Sequence, residues 1–296
     1  LCLTAIVFGL VNLKPNLFKL AREQNSSRMS AQQVEVWLDQ NGYNRPWATR
    51  YVEWLGGAVR GDFGPSTRFR APVNEVLWPR LALTGILMFW VIVVMVPGAL
   101  LIGVLAGMRE GSRADRVLST LAIVGTSTPE YVAGVVLTVI FASKMFGLQW
   151  LSGSATTAAE TGPTFYNFTL PVLTIAIFGM GYIARMTRAA MAEVMTQQYI
   201  RTARLKGLSF HAVVIRHALR NALIAPFTVI MLQFPWLLTG VVIVETLFNY
   251  RGFGWLLIEG AGNNDINLLL ACSVVAVVIV LTTQLVSDIG YVFLNP

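Results

Sequence analysis

From Leu81 to Gly107 the chain carries no charged residue. A helix needs roughly 20 apolar residues to cross about 30 Å of hydrocarbon, so this run alone commits the chain to a bilayer. Further apolar runs follow at Val117–Ser143, interrupted by Pro129-Glu130, and at Phe168–Ala184, Ala222–Val244 and Ile266–Ser287. Leu1–Leu13 is too short to cross alone; it reads as the end of a first helix, with a signal-peptide remnant as the other reading. The expectation is six spans. The residue content agrees: 12% of residues are charged, against about 25% in soluble domains. That excludes a cytosolic enzyme, a disordered chain and a secreted disulfide scaffold. Cys2 and Cys272 both sit in apolar runs, so neither a metal cluster nor a redox CxxC is available.

Basic residues in short loops set orientation. Arg109, Arg113 and Arg116 separate the second and third spans. Arg185, Arg188, Arg201, Arg204, Lys206, Arg216 and Arg220 crowd the stretch between the fourth and fifth, opposed only by Glu193. Both loops are therefore expected in the cytoplasm, together with both termini. Lys14–Arg80 holds ten basic residues on the outer side, but it is longer than about 60 residues, where the bias ceases to apply.

Within that outer stretch, Val34, Trp37 and Leu38 recur at helical spacing among Glu35 and Asp39, with Ser30 as the expected N-cap and Gly42 as the stop. Tyr51, Trp54 and Leu55 repeat the pattern. Arg60-Gly-Asp-Phe-Gly-Pro-Ser66 is a fixed turn by composition. An aromatic amphipathic segment beside a membrane is expected to lie in its interface; direct contact with substrate is the alternative.

The fourth loop is the most informative stretch. Its first part, through Lys206, predicts a short helix. Gly207 can take the left-handed conformation that ends a helix, and Ser209 caps a second helix through Phe210, Val213, Val214 and His217. Arginines alone describe a solvated loop obeying charge topology. The apolar residues interleaved with them describe an elbow suited to being pushed by a soluble partner.

These residues resemble the permease subunits of ABC importers, in the B-type branch of the oligopeptide, dipeptide and nickel systems. Tyr199-Ile-Arg-Thr-Ala-Arg-Leu-Lys-Gly-Leu208 followed by Arg216-His-Ala-Leu-Arg-Asn-Ala-Leu223 is similar to the family's EAA loop. Further matches are Tyr51-Val-Glu-Trp-Leu-Gly-Gly57 with Arg60-Gly-Asp-Phe-Gly64, Thr126-Ser-Thr-Pro-Glu-Tyr131, Arg185-Met-Thr-Arg188, Glu245-Thr-Leu-Phe248, Gly252-Phe-Gly254, Ser287-Asp288 and the closing Asn295-Pro296. The departures are Arg201-Thr202-Ala203 in place of Glu-Ala-Ala, and Ile224-Ala225-Pro226 where Leu-Pro is expected.

The resemblance implies an all-α polytopic membrane protein with a type I importer (MetI-like) transmembrane domain at 77–291, its coupling loop at 196–222, preceded by an external segment at 14–76 and the end of a first helix at 1–13. It implies a subunit of the bacterial inner membrane, not itself an enzyme. The partners implied are a homologous second permease, two ATPase subunits holding ATP and Mg, an external solute-binding protein and membrane lipid. The coupling helix would dock on an ATPase. Ala203 would allow close approach, Gly207 would set the elbow, Arg201, Arg204 and Lys206 would make polar contacts, and Thr202 and Leu208 complete the segment. Peptides are the implied substrates; oligosaccharides, glutathione and nickel chelates are the alternatives within the branch.

Ionisable and polar residues inside spans are costly and often functional. Glu130 is either part of a cavity wall that meets a cationic or hydroxylated substrate, or a hydrated helix break. Gln233 and Trp236 flank Pro235 and are candidates for a polar path, with a kinked packing site as the alternative. Glu245 ends a span as a gate residue or a structural one. Asp288 reads as interfacial. No GxxxxGK[ST] phosphate loop occurs, and His211 and His217 form neither a metal site nor a Ser/His pair. A secondary transporter is the competing class, but the sequence has no internal repeat to support it. Nucleic-acid binding has only the short basic loop in its favour, which topology already explains.

Overall fold

Ser30, Pro46, Ser112, Pro129 and Ser209 each stand immediately before a helix, whereas Pro97 and Pro171 lie within one. The computed structural model describes residues 2–25, 29–146 and 148–294, so Leu1 and Asn295-Pro296 lie outside the described residues. The helices are α1 (Cys2–Val11), α2 (Lys14–Gln24), α3 (Ala31–Gln40), α4 (Trp47–Val59), α5 (Val73–Gly107), α6 (Arg113–Ser127), α7 (Glu130–Phe141), α8 (Thr156–Thr161), α9 (Phe165–Met195), α10 (Gln198–Leu205), α11 (Phe210–Ala212), α12 (Leu219–Ala222), α13 (Ile224–Leu247), α14 (Phe253–Gly262) and α15 (Ile266–Leu294). Val213–Ala218, between α11 and α12, is π-helical. No β-strand forms among the described residues, and one isolated bridge joins Pro65 to Pro72.

Three helices are long and apolar enough to cross a membrane: α5, α9 and Ile266–Gly290 of α15. Counting each of two bent pairs as one span gives up to five among the described residues, matching the five expected spans that follow the first helix's end. The stretch expected to be the end of a first helix is helical over Cys2–Val11. The expected span at Val117–Ser143 is not straight. α6 and α7 meet at 111°, because Pro129 excludes the helical conformation from the residue before it, and Thr128 is extended at φ −90°, ψ 120°. The stretch Phe210–Ala222 joins Ile224–Phe234 at 49°. The span expected to end at Ala184 continues to Met195, so Arg185 and Arg188 lie inside a helix rather than after it.

The chain divides into two compact units. The first, residues 1–84 with 251–279, holds the polar stretch. Ser30 caps α3 through a reciprocal pair with Gln33, and Gly42 stops it with φ +74°. The apolar face of α3 packs on protein: Val34 and Leu38 are buried with Phe8, Leu17, Leu20, Ile266 and Leu270, and Trp37, Tyr51 and Trp54 pack against them. Arg50 lies over the rings of Phe8 and Tyr43 at 5.7 and 5.0 Å, and burial pushes the Tyr43 phenol above its ordinary pKa. The turn at 60–66 is pinned by Asp265, which is fully buried. Its carboxylate caps α15 by accepting the Leu268 N–H at 3.1 Å, and also accepts the Ser66 hydroxyl at 2.5 Å and the Arg68 N–H at 3.1 Å.

The second unit, residues 85–250 with 280–296, is built around α9, which packs on α6, α7 and α13. Small residues set the approach. A Cβ at Gly181 would stand 2.2 Å from the Ala122 carbonyl oxygen of α6. Gly103 and Gly107 of α5, a G-x-x-x-G pair, leave no room for side chains against Ala184, Thr187, Arg188 and Met191 of α9.

Candidate functional site

The elbow after α9 takes its shape from a few local preferences. α9 ends at Met195, Thr196 and Gln197 turn the chain, and α10 begins at Gln198. Ile200 and Ala203 are three residues apart, so they share one side of α10, and both are buried with Met191, Val213, Val214, Ala218 and Ala222. Gly207 ends the turn at φ +77°. The Ser209 hydroxyl accepts the Ala212 N–H at 3.3 Å and starts α11. The Asn221 side-chain amide donates to the Tyr199 hydroxyl at 2.9 Å and closes the loop on itself. Val213–Ala218 then carries the chain on as a π-helix, a rare form that concentrates at functional sites.

The outer side of this elbow holds Arg201, Thr202, Arg204, Lys206, Gly207 and Leu208, all exposed. Ala203 is 5% exposed and packs among the chain's own helices. The outward apolar residue is Leu205, 89% exposed. Sequence reasoning passed over it, although two residues along a helix turn about 200°, which places Leu205 opposite Ala203.

At the same end of this unit, Asp115 in the first turn of α6 meets Arg188 of α9 fork to fork: Nε to Oδ1 at 2.6 Å and NH2 to Oδ2 at 2.8 Å. Ser119 donates to Oδ1 at 3.0 Å and the Gly111 N–H to Oδ2 at 2.9 Å. Asp115 is 3% exposed. The Arg188 side chain is 30% exposed, so the pair is buried on its carboxylate side alone. Glu110 adds a longer contact to Arg188 at 3.7 Å. The Arg109 guanidinium lies 5.0 Å from the centre of the Phe210 ring. In the sequence these residues entered only as loop charge, and Asp115 not at all.

The four path candidates do not form one cluster. Glu130 opens α7, and its Oε2 is buried with no hydrogen-bond partner among the described residues. It lies against Gly240 of α13, where a Cβ would come within 2.9 Å of that oxygen. Gln233, seven residues earlier on the same side of α13, is 8% exposed. Trp236 stacks on Phe178 of α9, ring centres 4.7 Å apart. Glu245 sits apart from these at the far end of α13. It is fully buried, its carbonyl accepts the Tyr250 N–H at 2.8 Å, and burial together with the Glu245 charge holds the Tyr250 phenol above its ordinary pKa. Asp288 is exposed and accepts a hydrogen bond from Gln284 at 3.0 Å.

Residues 99–296, which include the whole elbow, match the family described as the binding-protein-dependent transport system inner membrane component. The chain belongs to this family. As a transport component of the inner membrane, it is similar along nearly its full length to curated proteins. It is 34% identical over 257 residues to a probable peptide ABC transporter permease, y4tP, of Sinorhizobium fredii (strain NBRC 101917 / NGR234), covering 86% of this chain and 81% of that one. It is 32% identical to the oligopeptide transport system permease AppB of Bacillus subtilis (strain 168), covering 91% and 86%. It is 32% identical to the glutathione transport system permease GsiC of Escherichia coli (strain K12), covering 99% and 92%. Among solved structures, the inward-facing MetNI methionine ABC transporter matches with a TM-score of 0.53 at 18% identity, over 75% of this chain and 95% of that one. An amino acid ABC transporter crystallised with histidines matches with a TM-score of 0.51 at 18% identity. The permease therefore has the type I importer transmembrane fold.

Proposed function

We propose that this permease forms half of the translocation path of an ATP-driven peptide importer, and that α10 is its docking element for an ATPase subunit. The observation that carries the reading is the two-sided construction of α10. Ile200 and Ala203 tie one side to the permease core, while the other offers an apolar knob, Leu205, ringed by Arg201, Arg204 and Lys206. A knob rimmed by cations suits a groove with an apolar floor and acidic walls. ATP and Mg belong to that partner, and the permease supplies the lever. Closure of two ATPases would push α10, and through α9 and the π-helical turn switch the helices between two packed arrangements.

Half a path requires a second, homologous permease. Delivery requires an external binding protein, to which the polar first unit would be presented. Orientation by basic loops puts residues 108–112 and 196–222 in the cytoplasm with both termini. Peptides are the favoured class because relatives named for peptide and oligopeptide transport cover most of this chain, and glutathione, the solute in a third relative's name, is itself a tripeptide.

The test is purification of the full chain in mild detergent from cells expressing its genomic neighbours, with mass identification of what accompanies it. Wild type is expected to bring down a second permease and P-loop ATPases. Leu205→Asp places a charge in the docking groove and is expected to lose the ATPases while keeping the second permease. Recovery of wild type alone, with solute uptake that needs no ATP, would overturn the reading in favour of a secondary transporter.

A further inference from the structure

The elbow is held at both ends by one short turn. Upstream of α10, Arg188 is joined to Asp115 by two hydrogen bonds, and Ser119 and the Gly111 N–H donate one each to the same carboxylate. Downstream of α10, Phe210 lies under Arg109. Arg109, Glu110 and Gly111 form the turn that joins α5 to α6. That turn touches the chain before the docking helix through Glu110, 3.7 Å from Arg188, and after it through Arg109 over Phe210, while Asp115 stands just beyond it in α6.

The two contacts differ in kind. The fork is geometrically specific, its carboxylate is buried and both carboxylate oxygens accept twice, so it behaves as a fixed joint between α6 and α9. The Arg109–Phe210 contact is a cation over a ring that is 37% exposed. It is weak and fits many angles, so it can break and re-form. A fixed joint upstream and a breakable contact downstream make a lever with a stop.

We infer that the 108–112 turn is a second coupling element of the permease, with Arg109, Asp115 and Arg188 as positioning residues that pass movement of α10 to α5 and α6 as well as along α9. The inference rests on the importer reading above. It adds a route that bypasses the π-helical segment, so that the two helix pairs α5–α6 and α9–α13 move as one body.

The test uses the complete transporter in proteoliposomes with its binding protein, and reads solute moved per ATP hydrolysed. Arg109→Ala and Asp115→Asn are expected to retain the ATPase subunits but to lower that ratio by about fivefold or more, the range of a typical coupling free energy. Arg109→Lys, which keeps a cation over the ring, is expected to restore it. Arg188→Lys, which cannot form the fork, is expected to fail. A wild-type ratio in both Arg109→Ala and Asp115→Asn overturns the inference. So does a fall in yield or thermal stability with the ratio unchanged, since that marks a purely structural pair. Failure of the importer reading is a separate result: a wild-type chain that recovers no ATPase.

Discussion

Gly207 sits where the chain turns back after α10, at φ +77°. A Cβ there would meet nothing within 4 Å, so substitution acts through the backbone alone. A β-branched residue in the left-handed region costs about 1–2 kcal/mol, a cost relieved by swinging α10 out of line. Gly207→Val is expected to leave membrane insertion and yield near wild type while uptake per ATP falls, measured in the same vesicles for both quantities. Normal uptake in that variant would remove Gly207 from the coupling mechanism. Gly207 and Ser209 were legible because their chemistry is local: a positive φ and a cap each declare themselves within four residues. Asp115 and Asp265 were not legible. Their partners Arg188 and Ser66 lie 73 and 199 positions away, and a lone aspartate at a helix start reads the same whether it is a cap or a buried joint.

The same limit acts on whole elements. Spacing showed that α3 has an apolar side, but period alone does not say what covers it. The cover is Phe8, Leu17 and Ile266, from elements before and after it in the chain, instead of lipid. The proline at 129 announced a break in the third expected span, and the break came where expected. Its 111° angle is set by packing against α9 and could not be read from the run of residues. α9 itself is recognisable only by hydropathy, yet its fit depends on absent atoms. At Gly181 even a methyl group would overlap the Ala122 carbonyl oxygen of α6. Overpacking of a tight interface costs about 1–3 kcal/mol where neighbours can yield, and a backbone oxygen yields less than a side chain. Gly181→Leu is therefore expected to separate α6 from α9 and lower the thermal unfolding temperature of the detergent-purified chain. Gly111→Ala, in the open at the turn, is the contrasting site: it adds no contact and changes only local backbone strain at φ +79°. Equal stability of Gly181→Leu and wild type would mean that α6 and α9 do not approach this closely.

At the scale of the molecule, charge and helix length together make one claim that neither makes alone. Basic residues cluster at 108–116 and at 185–220, on either side of the bent α6–α7 pair and α9. Two loops on the same side require an even number of crossings between them. With α9 supplying one, the charge bias calls for α6 and α7, despite the bend of 111°, to supply the other as a single broken helix. A re-entrant loop in their place would put 142–164 on the same side as 108–112 and leave the 185–220 cluster on the opposite face. Reporter fusions separate the two arrangements. A fusion after Ser112 is expected to report the cytoplasm, one near Thr157 the exterior and one after Lys206 the cytoplasm again. Cytoplasmic signal at both Ser112 and Thr157 would make α6–α7 re-entrant. It would also place α10 outside, beyond reach of any ATPase, so this one measurement bears on the fold and on the coupling mechanism together.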